Sequence, residues 1–245
     1  MKSVIHPDRA AADAPSPAEP LSDVRGFWRV LLAVIAPLPF VAKRIYYLIT
    51  PVEGDTNFRK SVTAFAAHQQ VVGALKWFDA VFVVGLIPAT FAVAWVSRRS
   101  APRLATAGAV IGLLGFLAGL TLLGGVETPP LVTVQHHLDV DAMAKLDHAL
   151  QGEPLLGIAS LLFIVGVVFG LGLLGAALWR SRVAPAWMGI ALMVGGATHP
   201  FIPSHVGQGI GLLVAAVGIS GVSIALLRMR NDEFDLPAAR PTPNE

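Results

Sequence analysis

Long apolar stretches almost free of charge recur along this chain, each about 20 residues long and so able, at about 1.5 Å rise per residue, to cross a hydrocarbon core of about 30 Å. Six such segments are expected: Phe27 to Tyr47, Leu75 to Val96, Leu104 to Gly125, Leu155 to Trp179, Ala184 to Ile202 and Gly207 to Leu227. The fold class is therefore all-α, an integral membrane bundle of about six transmembrane helices. Composition agrees, since charged residues make up 14% of the 245 positions against roughly a quarter in soluble domains. The segments leave little beyond one bundle over residues 26–230 and two tails, 1–25 and 231–245, expected to be disordered and cytoplasmic. No apolar core with a small-residue cleavage site precedes Phe27, so the first span is expected to stay as an anchor.

Orientation follows from Arg and Lys, which are retained on the cytoplasmic side of short loops. Arg25 and Arg29 precede the first span, Arg98, Arg99 and Arg103 separate the second and third, Arg180 and Arg182 the fourth and fifth, and Arg228 and Arg230 follow the last. All of these are cytoplasmic together in an arrangement with both termini inside, a multi-pass protein of the cell membrane. Lys43 and Arg44, near the outer end of the first span, fit least well; their long side chains are expected to snorkel to the interface. Pro37, Pro39 and Pro88 fall inside spans, where each removes a backbone donor and should kink its helix.

Glycine pairs spaced by four, Gly108 with Gly112, Gly115 with Gly119, Gly166 with Gly170 and Gly207 with Gly211, put small residues on single helix faces. Close packing within the bundle is the plain explanation; a homodimer or another membrane-protein partner stays open.

This topology concentrates the polar chemistry on the outer side. Six of the seven histidines lie there, His68, His136, His137, His148, His199 and His205, with only His6 in the tail. Glu53, Asp55, Asp79, Glu127, Asp139, Asp141, Asp147 and Glu153 join them. Two outer segments read as amphipathic helices, near 57–75 and 140–151. In the first, Phe58, Val62, Phe65, Val72 and Leu75 form an apolar stripe in which His68 fills a gap. That helix is expected to run directly into the second span, with Lys76 and Asp79 in local pairing distance. The second opens on Asp139 or Asp141 as N-cap and ends at Gly152 and Pro154.

His68, Asp147, His148 and His205 are the candidate ligand-binding residues, and Asp79 and His199 the candidate catalytic ones. A carboxylic acid in an apolar pocket is suited to protonating a lipophilic substrate, as a membrane-embedded terpene cyclase would need. The competing explanation is a set of solvated histidines with carboxylate neighbours, and Asp79, beside Trp77 and Phe78, as an interfacial residue of an aromatic belt.

With no Cys in the chain, disulfides, thiolate metal sites and cysteine nucleophiles are excluded. His and carboxylate permit a metal, but no H-E-x-x-H or other ligand spacing demands one, and the cofactor is unknown. There is no Walker A loop and no G-x-G-x-x-G turn, so nucleotide chemistry has no support. Despite a formal charge of +2 and a pI near 9.2, the basic residues mark helix ends and form no stripe, which argues against nucleic acid. The function expected is an outward-facing mouth, lined by His and carboxylate, that binds or processes a lipid or isoprenoid-like molecule. The alternatives are a membrane enzyme using acid or metal chemistry, a non-enzymatic immunity, sensor or assembly subunit, and a transporter. Spans three, four and six carry no ionisable residue between their interfaces, which disfavours proton-coupled transport.

The stretch Trp179-Arg-Ser-Arg-Val-Ala-Pro-Ala-Trp187-Met-Gly-Ile-Ala-Leu-Met-Val-Gly-Gly196 resembles uncharacterised polytopic inner-membrane proteins of GC-rich bacteria. There, too, an Arg-rich turn and a Pro-x-Trp open a Gly-rich span. The resemblance covers the last three spans and implies a bacterial inner membrane; it supplies no catalytic residue.

Overall fold

Helix accounts for most of the described residues of the computed structural model, which covers 23–52, 57–123 and 127–235 and leaves the side chains of Thr198 and His199 undescribed. In chain order the helices are α1 (Arg25–Ile35), α2 (Leu38–Ile49), α3 (Phe58–Ala67), α4 (Gln69–Ser97), α5 (Pro102–Gly119), α6 (Thr128–Gln135), α7 (Val140–Gln151), α8 (Pro154–Val165), α9 (Leu171–Ser181), α10 (Ala186–Thr198), α11 (His205–Arg228) and α12 (Asn231–Phe234). Short 3-10 turns follow α5 and α10, and a π-helical segment, Gly166–Gly170, joins α8 to α9.

Among the described residues, five helices are long and apolar enough to cross a membrane: Arg25–Ile49, Gln69–Ser97, Pro102–Leu122, Pro154–Ser181 and His205–Arg228. The segment expected to form the fifth of six spans, Ala184 to Ile202, departs from expectation. It is the 13-residue helix α10, only about 20 Å long at 1.5 Å per residue, closed by a 3-10 turn at His199–Phe201. The turn begins at the His-Pro step, where Pro200 has no amide hydrogen to continue the helix.

The first span breaks between Ile35 and Leu38, and the break is chemically compensated. Pro37 lacks the N–H that would bond the Ala33 carbonyl four residues back. Ser223 Oγ of α11 donates to that carbonyl instead, at 2.6 Å. This is how a Pro is carried at membrane depth, where an unbonded carbonyl is costly. The Pro39 ring lies against Gly85 of α4, where a Cβ would fall 3.2 Å from it. By contrast α4 runs through Pro88 as one helix of 29 residues.

Glycine faces hold the middle of the bundle together. A Cβ on Gly115 would stand 2.6 Å from the Gly166 Cα, and one on Gly170 would stand 2.7 Å from the Gly112 Cα. The spaced glycines of α5 and of the π segment therefore face each other, backbone to backbone. Gly175 and Gly189 do the same for α9 and α10, and Gly218 of α11 lies against the Met188 carbonyl, a Cβ there falling 2.6 Å from it. Phe40, Phe82, Leu86, Phe116, Leu174, Leu192, Leu212 and Ile219 fill the shared core.

The chain ends of the described region meet. Arg25 pairs with Asp235 at 2.7 Å, and Asn231 donates to Asp23 at 2.8 Å. Trp95 Nε1 and Arg98 both donate to the Phe234 carbonyl, at 3.0 and 2.9 Å. The start of α1, the end of α4 and α12 are thus tied at one end of the bundle. Residues 231–235, expected to belong to a disordered tail, are a docked turn of helix in which the Glu233 carboxylate accepts from the Arg230 N–H at 2.9 Å. Residues 1–22, His6 among them, and 236–245 lie outside the described region.

At the opposite end α3, α6 and α7 pack together, with Phe65, Val72, Leu75 and Leu131 buried beside Tyr46. The amphipathic helix α3 does not run into the second span as expected: it stops at Ala67, and His68, with φ −134° and ψ 36°, separates it from α4. Helix α6, between the third and fourth spans, was not anticipated; Pro129 and Pro130 open it at positions where an N–H is not needed. Helix α7 starts from Asp139, whose carboxylate accepts from the Ala142 N–H at 2.6 Å.

Candidate functional site

Asp79 is the only carboxylate in the five long apolar helices, and the second half of the first span holds two cations, Lys43 and Arg44. A lone acid at such depth needs a counter-charge, because a bare ion in a low-dielectric surrounding is expensive. The fold provides one. Lys43 Nζ lies 2.5 Å from Asp79 Oδ1, with the two side chains 12% and 20% exposed. The local Lys76–Asp79 pairing expected from spacing gives way to this contact between α2 and α4, 36 residues apart in the chain.

Aromatic rings surround the same ammonium. Lys43 Nζ is 3.7 Å from the Tyr46 ring centroid, 5.3 Å from that of Tyr47 and 5.7 Å from that of Phe82. The negative faces of such rings stabilise a cation alongside its carboxylate. The Tyr46 hydroxyl in turn donates to Glu127 just before α6. Asp79, Lys43, Tyr46 and Glu127 thus make one connected polar row across three segments of chain. The Tyr47 ring stacks at a tilt on His205, centroids 5.0 Å apart, which brings the start of α11 into the group. His205 is held there because Ser204 caps α11, accepting from the Gly207 N–H at 3.2 Å.

This row forms one side of a cleft of about 350 Å³. Its polar lining is Lys43, Tyr46, Asp79, Glu127, His205 and Gln208, and Phe82, Val83, Leu122 and Phe163 face it as the apolar side. Phe163 is fixed by edge-on contacts with Phe82 and Phe116, at 6.3 and 6.2 Å. A second depression of about 340 Å³, lined by Lys76, Trp77, Ala80 and Leu123, shares Asp79 and Glu127 with the cleft. Trp77 there is 76% exposed. Both lie at the end of the bundle away from the joined chain ends: Lys43 and Asp79 occupy the opposite halves of their spans from Arg25 and Arg98.

Of the six residues singled out from sequence, the cleft gathers two, Asp79 and His205. His68 is exposed in the break before α4, its Nδ1 3.0 Å from the Ala64 carbonyl, and does not lie with the buried stripe of α3. His148 is exposed on α7, in a shallow depression with Lys145 and with the Arg59–Asp141 ion pair that ties α3 to α7. Asp147, on the same helix, accepts from Gln151 at 2.8 Å, and partial burial raises its carboxyl above the usual range. The His199 side chain lies outside the described residues. Among the described residues no three His, Asp or Glu side chains come together as a metal set.

Sequence reasoning missed Lys43, Tyr46, Tyr47, Glu127 and Gln208. A signal for the first was present: a cation and a lone carboxylate, each buried in a different apolar segment, are the natural partners of one another. Nothing local marks the tyrosines, whose role comes from lying one turn beyond Lys43 on α2.

In comparisons with known proteins, no family model matches the chain, and neither a curated protein nor a solved structure resembles it.

Proposed function

We propose that this protein crosses the cell membrane six times, with both chain ends in the cytoplasm, and that its outward-facing cleft binds a lipophilic molecule carrying a polar head. The meeting of Arg25 with Asp235 supports the topology. A described region whose two ends meet at one end of a bundle makes an even number of passages; five helices are long enough to cross by themselves, and in this reading α10 with the 3-10 turn after it makes the sixth. Arg98 and Arg99 lie at the same end as this clasp, in keeping with a cytoplasmic, positively charged side. The resemblance to bacterial inner-membrane proteins in the last three spans suggests that membrane as the location.

The observation that carries the binding reading is the cleft itself, with a row of charged and hydroxyl groups on one side and Phe82, Val83, Leu122 and Phe163 on the other. Pockets that are mostly apolar with a few convergent polar groups are the usual form of small-molecule sites. The cleft suits a head group and the first part of a tail, with the remainder in lipid.

An acid-initiated enzyme is the second reading. It needs Asp79 as a proton donor, whereas the carboxylate lies against the Lys43 ammonium and serves as an acceptor. That pairing favours binding. Use of the glycine faces for a membrane partner is disfavoured in the same way, since those of α5 and the π segment fill one another. The test is mass spectrometry of solvent extracts from protein purified in maltoside, comparing wild type with Leu122→Trp, which fills the cleft. A species enriched over bulk lipid in the first and lost in the second is expected; identical extracts would overturn the reading.

A further inference from the structure

We infer that the cleft selects a cationic head group, an inference that rests on the binding reading above and names its ligand class. The Asp, Glu, Lys and Arg side chains that line the cleft are Lys43, Asp79 and Glu127, one basic against two acidic, with the His205 imidazole beside them. Asp79 and Lys43 neutralise each other at 2.5 Å. Glu127 is left over. Among the described residues it has no ion-pair partner, and its side-chain hydrogen bond comes from the neutral Tyr46 phenol. A positive charge entering the cleft would give Glu127 the ionic partner that Asp79 finds in Lys43.

The rest of the lining suits the same class. Tyr46, Tyr47, Phe82 and Phe163 line the same cleft as Glu127, and three of these four already hold an ammonium, that of Lys43, within 3.7 to 5.7 Å. Rings around a carboxylate are the recognised chemistry for amines and quaternary ammonium groups. Two further cations stand close but outside this lining. Lys76 faces the neighbouring depression, and Arg44 lies along α11 at Gly209, where a Cβ would fall 2.9 Å from its Cδ. Neither is ion-paired with Asp79 or Glu127. An anionic ligand would have to approach Glu127 and Asp79 from the cleft side, with the one lining cation already taken.

The probes are tetraphenylphosphonium, its near-isosteric opposite tetraphenylborate, and neutral triphenylphosphine oxide, each measured by equilibrium binding to the full chain in maltoside micelles. Saturable one-to-one binding of the phosphonium alone is expected, weakened by at least about tenfold in Glu127→Gln and largely kept in Glu127→Asp. The ranking of the three probes on the wild type needs no variant, so misfolding of Glu127→Gln does not remove the test. Tighter or equal binding of the borate or of the neutral probe, displaced by Leu122→Trp, would overturn the charge inference while leaving a lipophile site standing. No saturable binding of any probe would overturn it as well, and the extraction experiment then decides the broader reading by itself.

Discussion

The Lys43 ammonium and the Asp79 carboxylate, 2.5 Å apart and 12% and 20% exposed, join the kinked first helix of this bundle to the second. Each alone would be an uncompensated charge among apolar side chains; together with Tyr46 and Glu127 they turn an expensive feature into the polar side of a cleft. Removing one partner of a buried pair costs about 3 kcal/mol or more, while replacing both by apolar groups is often tolerated. Lys43→Met and Asp79→Leu should each lower the thermal midpoint in detergent by several degrees. The double variant should recover most of that loss. Additive losses in the double variant would show that the two charges are held separately.

The glycine contacts predict a sharp contrast between positions of equal composition. Gly115→Val places carbon within about 2.6 Å of the Gly166 backbone and should abolish folding or detergent-stable expression. Gly157→Ala and Gly172→Ala, where a Cβ meets nothing within 4 Å, should be neutral or stabilising by about 0.5 to 1 kcal/mol, because Ala is the better helix former. Size-exclusion profiles and melting curves in one detergent check both.

Because the chain has no Cys, single cysteines report sidedness directly. With both ends inside, Lys145→Cys on α7 should react with a membrane-impermeant maleimide added to intact cells. Asn231→Cys should react only after permeabilisation. Labelling of both from outside, or the reverse pattern, would refute the proposed orientation.

Asp147 gives a pH signature of known sign. Burial raises its carboxyl above the ordinary carboxylate value, so the folded state takes up its proton more readily than the unfolded chain. The associated stability is complete below the ordinary value and lost as pH rises through the raised one. Asp147→Asn should therefore melt slightly higher than wild type at pH 7, with the difference closing by about pH 4. A gap that persists at pH 4 would place its cause elsewhere.

Much of the fold was legible in the sequence because lipid imposes one strong rule, an apolar helix of sufficient length. The Pro37 break, the glycine faces and the Asp139 cap all follow from residue chemistry that is local to a few turns. What escaped depends on partners distant in the chain. The exception is local: the expected fifth span runs through the His199–Pro200 step, where the missing Pro200 N–H ends regular helix and leaves α10 at 13 residues. His68 looks like part of a stripe by spacing, yet the chain breaks at that residue and exposes it. The site is half visible in the sequence: Asp79 and His205 stand out as polar groups near span ends, while snorkelling accounts for Lys43 by itself and Glu127 reads as one loop carboxylate among several. Their convergence is a property of how α2, α4, α11 and the approach to α6 meet, which spacing within any one segment does not encode.

The most direct test places a photoreactive benzophenone amino acid at Leu122, inside the cleft, and at Leu114, a lipid-facing position 62% exposed on the same span. After irradiation of whole membranes, the Leu122 derivative should carry one discrete added mass, and the Leu114 derivative the mixed masses of bulk phospholipid. The same bulk-lipid distribution at both positions would contradict a selective ligand site in the cleft.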